Sequence, residues 1–344
     1  MEREKSIRRT LTVIACLAAV SLLVLFNFIF DSYQLRILNL CGIYITLGLS
    51  LNLIYGFTGM FSLGHAGFMA VGAYTTALLT MSPEQKYENF FLEPLVPWLA
   101  NVEWNFLFAL LMGGALAALA GLLIGMPVLK LKGDYLAIAT LGFAEIIRII
   151  FTNIQNVTNG PLGLKGLPAY TNIWWSWGVA LVAIIFMVYL FRGSYGRAFI
   201  AIREDEVAAE AMGINLFKHK LLSFTIGSFM AGIGGGLLGN LMGTIDPLMF
   251  RFLLTFNILL IVVLGGMGSI TGTVLAGVVV TVLMEYLRFL DEPMNFFFFK
   301  TSAIPGLRMV VFSIMLMVVI LFFQRGIMGN REFSWDFLFR KKGE

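Results

Sequence analysis

Side chains that could do chemistry are scarce in this chain, so their positions carry weight. The densest group lies in GRAFIAIREDEVAAEAMGINLFKHK (196–220), where Arg203, Glu204, Asp205, Glu206 and Glu210 crowd together in a sequence only 13% charged. Elsewhere Glu145 stands three residues before Arg148, and Glu285 three before Arg288. On a helix that spacing lets each pair meet on one face. Such a pair offers two chemistries. It can be an ion pair near a membrane interface with arginine snorkelling outward, or it can meet the ammonium and carboxylate of a zwitterionic amino acid. Glu145, with Arg148 beside it, lies deepest in apolar surroundings. His65, in SLGHAGF, is one of only two histidines; it either packs against a neighbouring segment through a hydrogen bond or lines a pathway. His219, between Lys218 and Lys220, reads as interfacial.

Several activities lack the residues they require. No Ser/His/Asp arrangement, paired catalytic carboxylates or zinc-ligand spacing stands out, so the chain reads as non-enzymatic, with no cofactor and no metal. Cys16 and Cys41 lie inside apolar runs and suggest no disulfide framework. A P-loop needs Gly-Lys before Ser or Thr, and that dipeptide is missing from the sequence. Gly234, Gly236 and Gly239 match the dinucleotide-binding spacing, but they sit inside an uncharged run rather than after a strand. They read better as helix packing, as does the four-residue stripe Gly113, Ala117, Gly121 and Gly125.

The elements that must position these residues are membrane spans. The chain has 344 residues, 59% hydrophobic, with 36 glycines; soluble domains are less apolar and about twice as charged. Apolar runs cover 10–30, 37–81, 104–129, 166–191, 221–245 and 252–284, and two further spans tolerate charge, 135–152 and 304–323. A span needs about 20 residues, so 37–81 is two crossings broken near YGFTG, and 252–284 breaks at GGMGS. The expected fold is an all-α, polytopic membrane helix bundle of about ten transmembrane helices, with eight as the alternative. The run 10–30 is too long for a signal-peptide core and reads as a retained first span.

Most of the 24 Lys and Arg fall in 1–10, 129–134, 192–220 and 324–344. Ten crossings place all four segments on one face, which the positive-inside rule makes cytoplasmic. Both termini are then cytoplasmic. The net charge of +4 reflects this topology rather than a nucleic-acid partner. The expected organisation is a single transmembrane domain over 1–344 with one cytoplasmic loop at 192–220. GMFSLG (59–64) and GMGSIT (266–271) share Gly-Met-x-Ser at their breaks, by duplication or by chance.

The charged stretch is made of good helix formers from Arg203 to Met212, and Gly213 stops it as a C-cap. A short helix there is either a solvated connector or a face offered to a partner. Ala208, Ala209 and, after three residues, Gly213 resemble the EAA–x3–G loop of ABC importer permeases, which inserts into the ATPase subunit. The match departs at Val207, where the family has Glu; Glu206 lies one place earlier.

Four longer blocks extend the resemblance: NLIYGFTGMFSLGHAGFMAVGAY (52–74), GDYLAIATLGFAEIIR (133–148), SYGRAFIAIREDEVAAEAMGIN (194–215) and FNILLIVVLGGMGSITGTVLAG (256–277). Together the blocks, in this order, resemble the LivM-like permease subunits of branched-chain amino-acid ABC importers, and TNGPLGLKGLP (158–168) resembles their extracellular turn. The resemblance implies a multi-pass protein of a prokaryotic inner or plasma membrane, embedded in lipid. Its implied partners are a homologous permease subunit in a heterodimer, two ATPase subunits and an extracellular solute-binding protein. Implied coupling residues are Arg203, Glu204, Glu206, Ala208, Ala209 and Gly213; His65, Glu145 and Arg148 are the candidates for the pathway. Leucine, isoleucine and valine are the expected solutes, with urea or short amides as the alternative inside the family. The binding protein would dock on 82–104, which carries Glu84, Glu88, Glu93 and Glu103 against Lys86, and on 153–172. Ala209→Glu is expected to leave the fold intact, since the site reads as aqueous, while jamming the ATPase contact. The rival class is an ion-coupled secondary transporter, which would use the Gly-rich breaks as broken helices at the bilayer midplane.

Overall fold

The computed structural model describes residues 29–291 without interruption, together with residues 21, 23–27, 295–296, 299–300, 306–307, 310–314, 317, 326–329 and 332. The expected spans at 10–30 and 304–323 and both termini lie largely outside the described residues.

Helix α1 (Ser32–Asn52) continues through a π turn, Leu53–Phe57, before the chain leaves helical geometry. Helix α2 (His65–Thr80) follows. The expected break of 37–81 is therefore real and falls at 58–64, where Gly59 takes a φ of +77° that side-chain-bearing residues rarely adopt. Helices α3 (Phe106–Val128), α4 (Asp134–Asn153) and α5 (Ile173–Arg192) come next. Asn105 and Asn172 start α3 and α5 by accepting hydrogen bonds from exposed N–H groups of the first turn. Two short helices, α6 (Ser194–Glu204) and α7 (Glu206–Ala211), precede α8 (Leu216–Met242). The chain ends its continuous part with α9 (Phe252–Gly265) and α10 (Ile270–Tyr286), parted at GGMGS as expected.

Among the described residues, five helices are long and apolar enough to cross a membrane: α1 with its π turn, α3, α4, α5 and α8. Helices α2, α9 and α10, of 16, 14 and 17 residues, are shorter. At about 1.5 Å per residue they span only about 21–26 Å of a core roughly 30 Å thick. Non-helical backbone at that depth survives only inside protein or beside a water-filled cavity. The chain is thus a mostly helical, multi-pass membrane protein whose breaks must be enclosed.

Helices α1 and α8 run through the centre, with 78% and 67% of their apolar windows buried, whereas α3, α4 and α5 reach only 33%, 22% and 28%. The centre is assembled through glycine. A Cβ on Gly72 of α2 would strike the backbone of Gly232 in α8, and one on Gly235 would strike Met69. On α3, Gly113 faces Thr76, Gly121 faces Ser228 and Gly125 faces Leu221 and Phe224. Both small-residue stripes are helix-packing surfaces, as their spacing suggested. Lipid tails are as apolar as leucine, so association here relies on close van der Waals contact, which missing side chains permit.

The helices alternate in direction and sort the loops to two ends. At one end Leu164–Lys165 (β1) pairs antiparallel with Thr244–Ile245 (β2). Asn89 joins Lys165 through two hydrogen bonds of 2.8 and 2.9 Å, and Val96 N–H donates to the Asn156 carbonyl. The opposite end gathers the two breaks, 58–64 and 266–269, with the charged stretch.

Candidate functional site

The charged stretch folds as two helices, which corrects the expectation of one helix from Arg203 to Met212. Asp205 leaves helical geometry, and its carboxylate accepts from Val207 N–H at 2.8 Å and Ala208 N–H at 3.1 Å. A short acidic side chain that bonds nearby backbone competes with helix continuation and favours a cap. Helix α7 ends as the sequence suggested. Gly213 takes a φ of +83°, its N–H reaches the Glu210 carbonyl and Ile214 N–H reaches the Ala209 carbonyl, the paired bonds of a Schellman cap.

Orientation within α7 divides the expected coupling residues. Ala208 and Gly213 are exposed, with Val207 78% and Met212 83% accessible. Ala209 is buried, at 4%. The expectation that Ala209 is an aqueous site open to an acidic replacement is therefore wrong; it is the inward face of the turn. Glu206 points the other way from the exposed face and pairs with Lys220 of α8 at 2.5 Å, tying α7 to a central helix. Glu204 is exposed and holds Arg203 through Nε at 3.0 Å and through Nη2.

Arg203 reaches furthest into the bundle. Its Nη1 donates to the Gly56 carbonyl in the π turn at 2.9 Å. The same guanidinium fills the space a side chain on Gly268 would need, and its Cγ would stand 3.2 Å from a Cβ on Gly59. Beneath it, fully buried Asn52, at the end of α1, ties that helix to the second break. Its Oδ1 accepts from Gly268 N–H at 3.0 Å, and its Nδ2 donates to the Ser269 carbonyl at 3.0 Å and to Thr273 Oγ1 at 2.7 Å. Thr58 and Ser223 share a 2.7 Å bond that joins the first break to α8. Glu332 adds a third tie at the second break, accepting from Ile270 and Thr271 N–H at the start of α10. Sequence reasoning missed Asn52 and Glu332. Asn52 had a signal, an amide in an apolar run one turn before a glycine break; Glu332 had none.

The pathway candidates separate. His65 is buried against α1, with its Nε2 2.7 Å from Ser50 Oγ. Glu145 and Arg148 bond to each other at 2.7 Å on α4 and stay partly accessible. Glu285 and Arg288 pair at 3.0 Å, and Tyr33 OH donates to Glu285 at 2.7 Å. With Arg36 they line a cleft of about 800 Å³ between α1 and α10. Near the β1–β2 end, Lys86 is buried and donates to the carbonyls of Leu99 at 3.0 Å and Val102 at 2.5 Å. Burial pushes its ammonium below the ordinary lysine range, and nearby Glu103 partly offsets this. The acidic 82–104 loop is thus folded around its own lysine. Among the described residues no three of His, Cys, Asp or Glu gather where one metal ion could sit.

Comparison with known proteins places this arrangement in context. Residues 33–321 match the family described as the permease component of the branched-chain amino-acid transport system. The chain is 35% identical over 318 residues to the high-affinity branched-chain amino-acid transport permease LivM of Escherichia coli K12, covering 82% of this chain and 70% of that one. It is 29% identical to a probable LivM of Methanocaldococcus jannaschii, covering 72% and 80%. It is 26% identical to the LivH permease of Salmonella typhimurium, covering 84% and 92%. No solved structure matches it.

Proposed function

The chain belongs to the branched-chain amino-acid transport permease family, and from that premise we propose that it is the membrane permease subunit of an ABC importer for leucine, isoleucine and valine. It forms part of the translocation pathway and hydrolyses no ATP itself; two ATPase subunits do so. A homologous permease completes a heterodimer, and an extracellular solute-binding protein delivers the solute. Similarity to both LivM and LivH relatives supports a pair of unlike but related permeases. The whole chain acts as one domain in the inner or plasma membrane, crossing about ten times with both termini cytoplasmic.

One observation carries the coupling part of this reading. At the end that holds both helix breaks, α7 presents Val207, Ala208 and Met212 outward between the acidic side chains Glu204 and Glu210. Exposed apolar side chains on an aqueous loop fit a partner's cleft, and the missing Gly-Lys-Ser/Thr supplies a reason for that partner to be an ATPase. His65, Glu145 and Arg148 remain the pathway candidates. His65 would act as the buried pin of α2 against α1, and Glu145 with Arg148 as the charged rim on α4. The β1–β2 end, with the 82–104 loop, is the surface for the binding protein.

The test is uptake of labelled leucine by cells with and without this chain, all partners present, with valine and urea as competitors. Loss of uptake on deletion, with competition by valine alone, is expected. Competition by urea would move the substrate to small amides. ATP-independent uptake driven by an ion gradient would replace the reading with a secondary transporter.

A further inference from the structure

Two helix breaks more than two hundred residues apart in sequence meet at one end of the bundle, and one side chain of the charged loop touches both. Gly59 and Gly268 hold φ angles of +77° and +84°, and neither contributes a side chain where they face Arg203. The guanidinium of Arg203 sits in the notch this leaves, bonded to Gly56 and packed against Gly268. Asn52 already fastens the first helix to the second break, so Arg203 is not needed to hold the breaks together. What it adds is a link between the breaks and the loop.

We propose that Arg203 is the positioning residue through which movement of α6 and α7 reaches the pathway, held by Glu204 in a clamp that the docked ATPase opens. Resting on the reading of α7 as the ATPase contact, the clamp works as follows. Carbonyls in a π turn that opens into non-helical chain lack full intrahelical partners. Arg203 satisfies one of them in the conformation seen here. Glu204 grips the other edge of the same guanidinium, yet its carboxylate is 65% exposed and lies next to the docking face. A basic side chain of the ATPase that takes Glu204 loosens that grip. Arg203 then leaves the notch, and the end of α1, fastened to the second break through Asn52, rearranges with it as one unit. A planar, forked cation suits this role, because it bonds the Gly56 carbonyl and the Glu204 carboxylate together; lysine, a point charge on a flexible stem, does not.

The experiment uses the complete importer in proteoliposomes, with uptake and ATP hydrolysis measured on the same preparation. Arg203→Ala is expected to assemble and to hydrolyse ATP while uptake per ATP falls about tenfold, the scale of one hydrogen bond to a charged group. Glu204→Gln is expected to fall less. A purely structural role would lower both rates in parallel in the assembled complex, and that result overturns the clamp. So does an Arg203→Ala complex with wild-type uptake per ATP. If Arg203→Ala does not assemble, Gly268→Ala displaces the guanidinium with Arg203 still present. It is expected to reproduce the fall, and unchanged uptake per ATP in that variant overturns the clamp. A wild-type complex without ATP-driven uptake overturns the functional reading itself and the clamp with it.

Discussion

Replacing Asn52 by alanine tests the reasoning about the breaks most directly. The side chain is fully buried and makes three hydrogen bonds, to Gly268 N–H, the Ser269 carbonyl and Thr273 Oγ1. Interhelical hydrogen bonds between membrane helices average about 0.6 kcal/mol each, with a maximum near 1.7, so three amount to about 2 kcal/mol. The deletion also leaves Gly268 N–H without its acceptor inside protein, and an orphaned buried group costs about 1–3 kcal/mol. The Ser269 carbonyl keeps a second donor, Thr273 Oγ1 at 2.8 Å, so it is not orphaned. A total loss of about 3–5 kcal/mol is expected on those figures. The assay is reversible unfolding in mixed micelles by titrating denaturing detergent, with Asn52→Ala, Thr273→Val and the double variant. The two residues share a direct bond, so the double variant should cost less than the sum, by about 0.6 kcal/mol. Additive losses, or Asn52→Ala within about 0.3 kcal/mol of wild type, would refute the idea that Asn52 ties α1 to the second break.

Other outcomes follow from the same contacts. Gly235→Leu must push a side chain into the backbone at Met69 and is expected to abolish a monodisperse protein in size-exclusion chromatography. Gly178→Ala, on α5 with nothing within 4 Å of its Cβ, should instead raise the melting temperature slightly, by up to about 1 kcal/mol of stability. Val207→Glu and Met212→Glu should leave melting unchanged and reduce copurification of the ATPase; Ala209→Glu, which buries a carboxylate, should lower the melting temperature itself. Lys86 should resist acetylation that modifies exposed Lys165, read by mass spectrometry. Its folded-state pKa lies below the ordinary value of 10.5, so the folded chain binds fewer protons in the window beneath that value. The stability tied to its neutral form is present above 10.5 and lost as pH falls through the depressed value. Wild type should therefore gain stability relative to Lys86→Met as pH rises through that window, and a flat difference would refute the assignment.

Much of the architecture was legible before any coordinate. Long uncharged runs report spans because lipid admits only helices with satisfied backbones. Both breaks were visible as glycine clusters, since glycine alone takes positive φ without strain, and Gly59, Gly266 and Gly268 do so. Gly213 announced a C-cap for the same reason, and the four-residue glycine spacing announced close helix contact. These are local properties, readable within a turn or two of chain.

The tertiary structure alone decided the rest. Whether Ala208 or Ala209 faces outward depends on the break at Asp205, a competition between a side-chain cap and helix continuation that hydropathy does not register. Arg203 looked like one charge among five; its partner Gly56 lies 147 residues away. Asn52 looked like a polar blemish in a span until Gly268, 216 residues on, came to its amide. Composition and period record what each segment must bury, but a hydrogen bond from the end of α1 to the second break depends on how helices α1, α8, α9 and α10 pack in three dimensions, and no single segment encodes that.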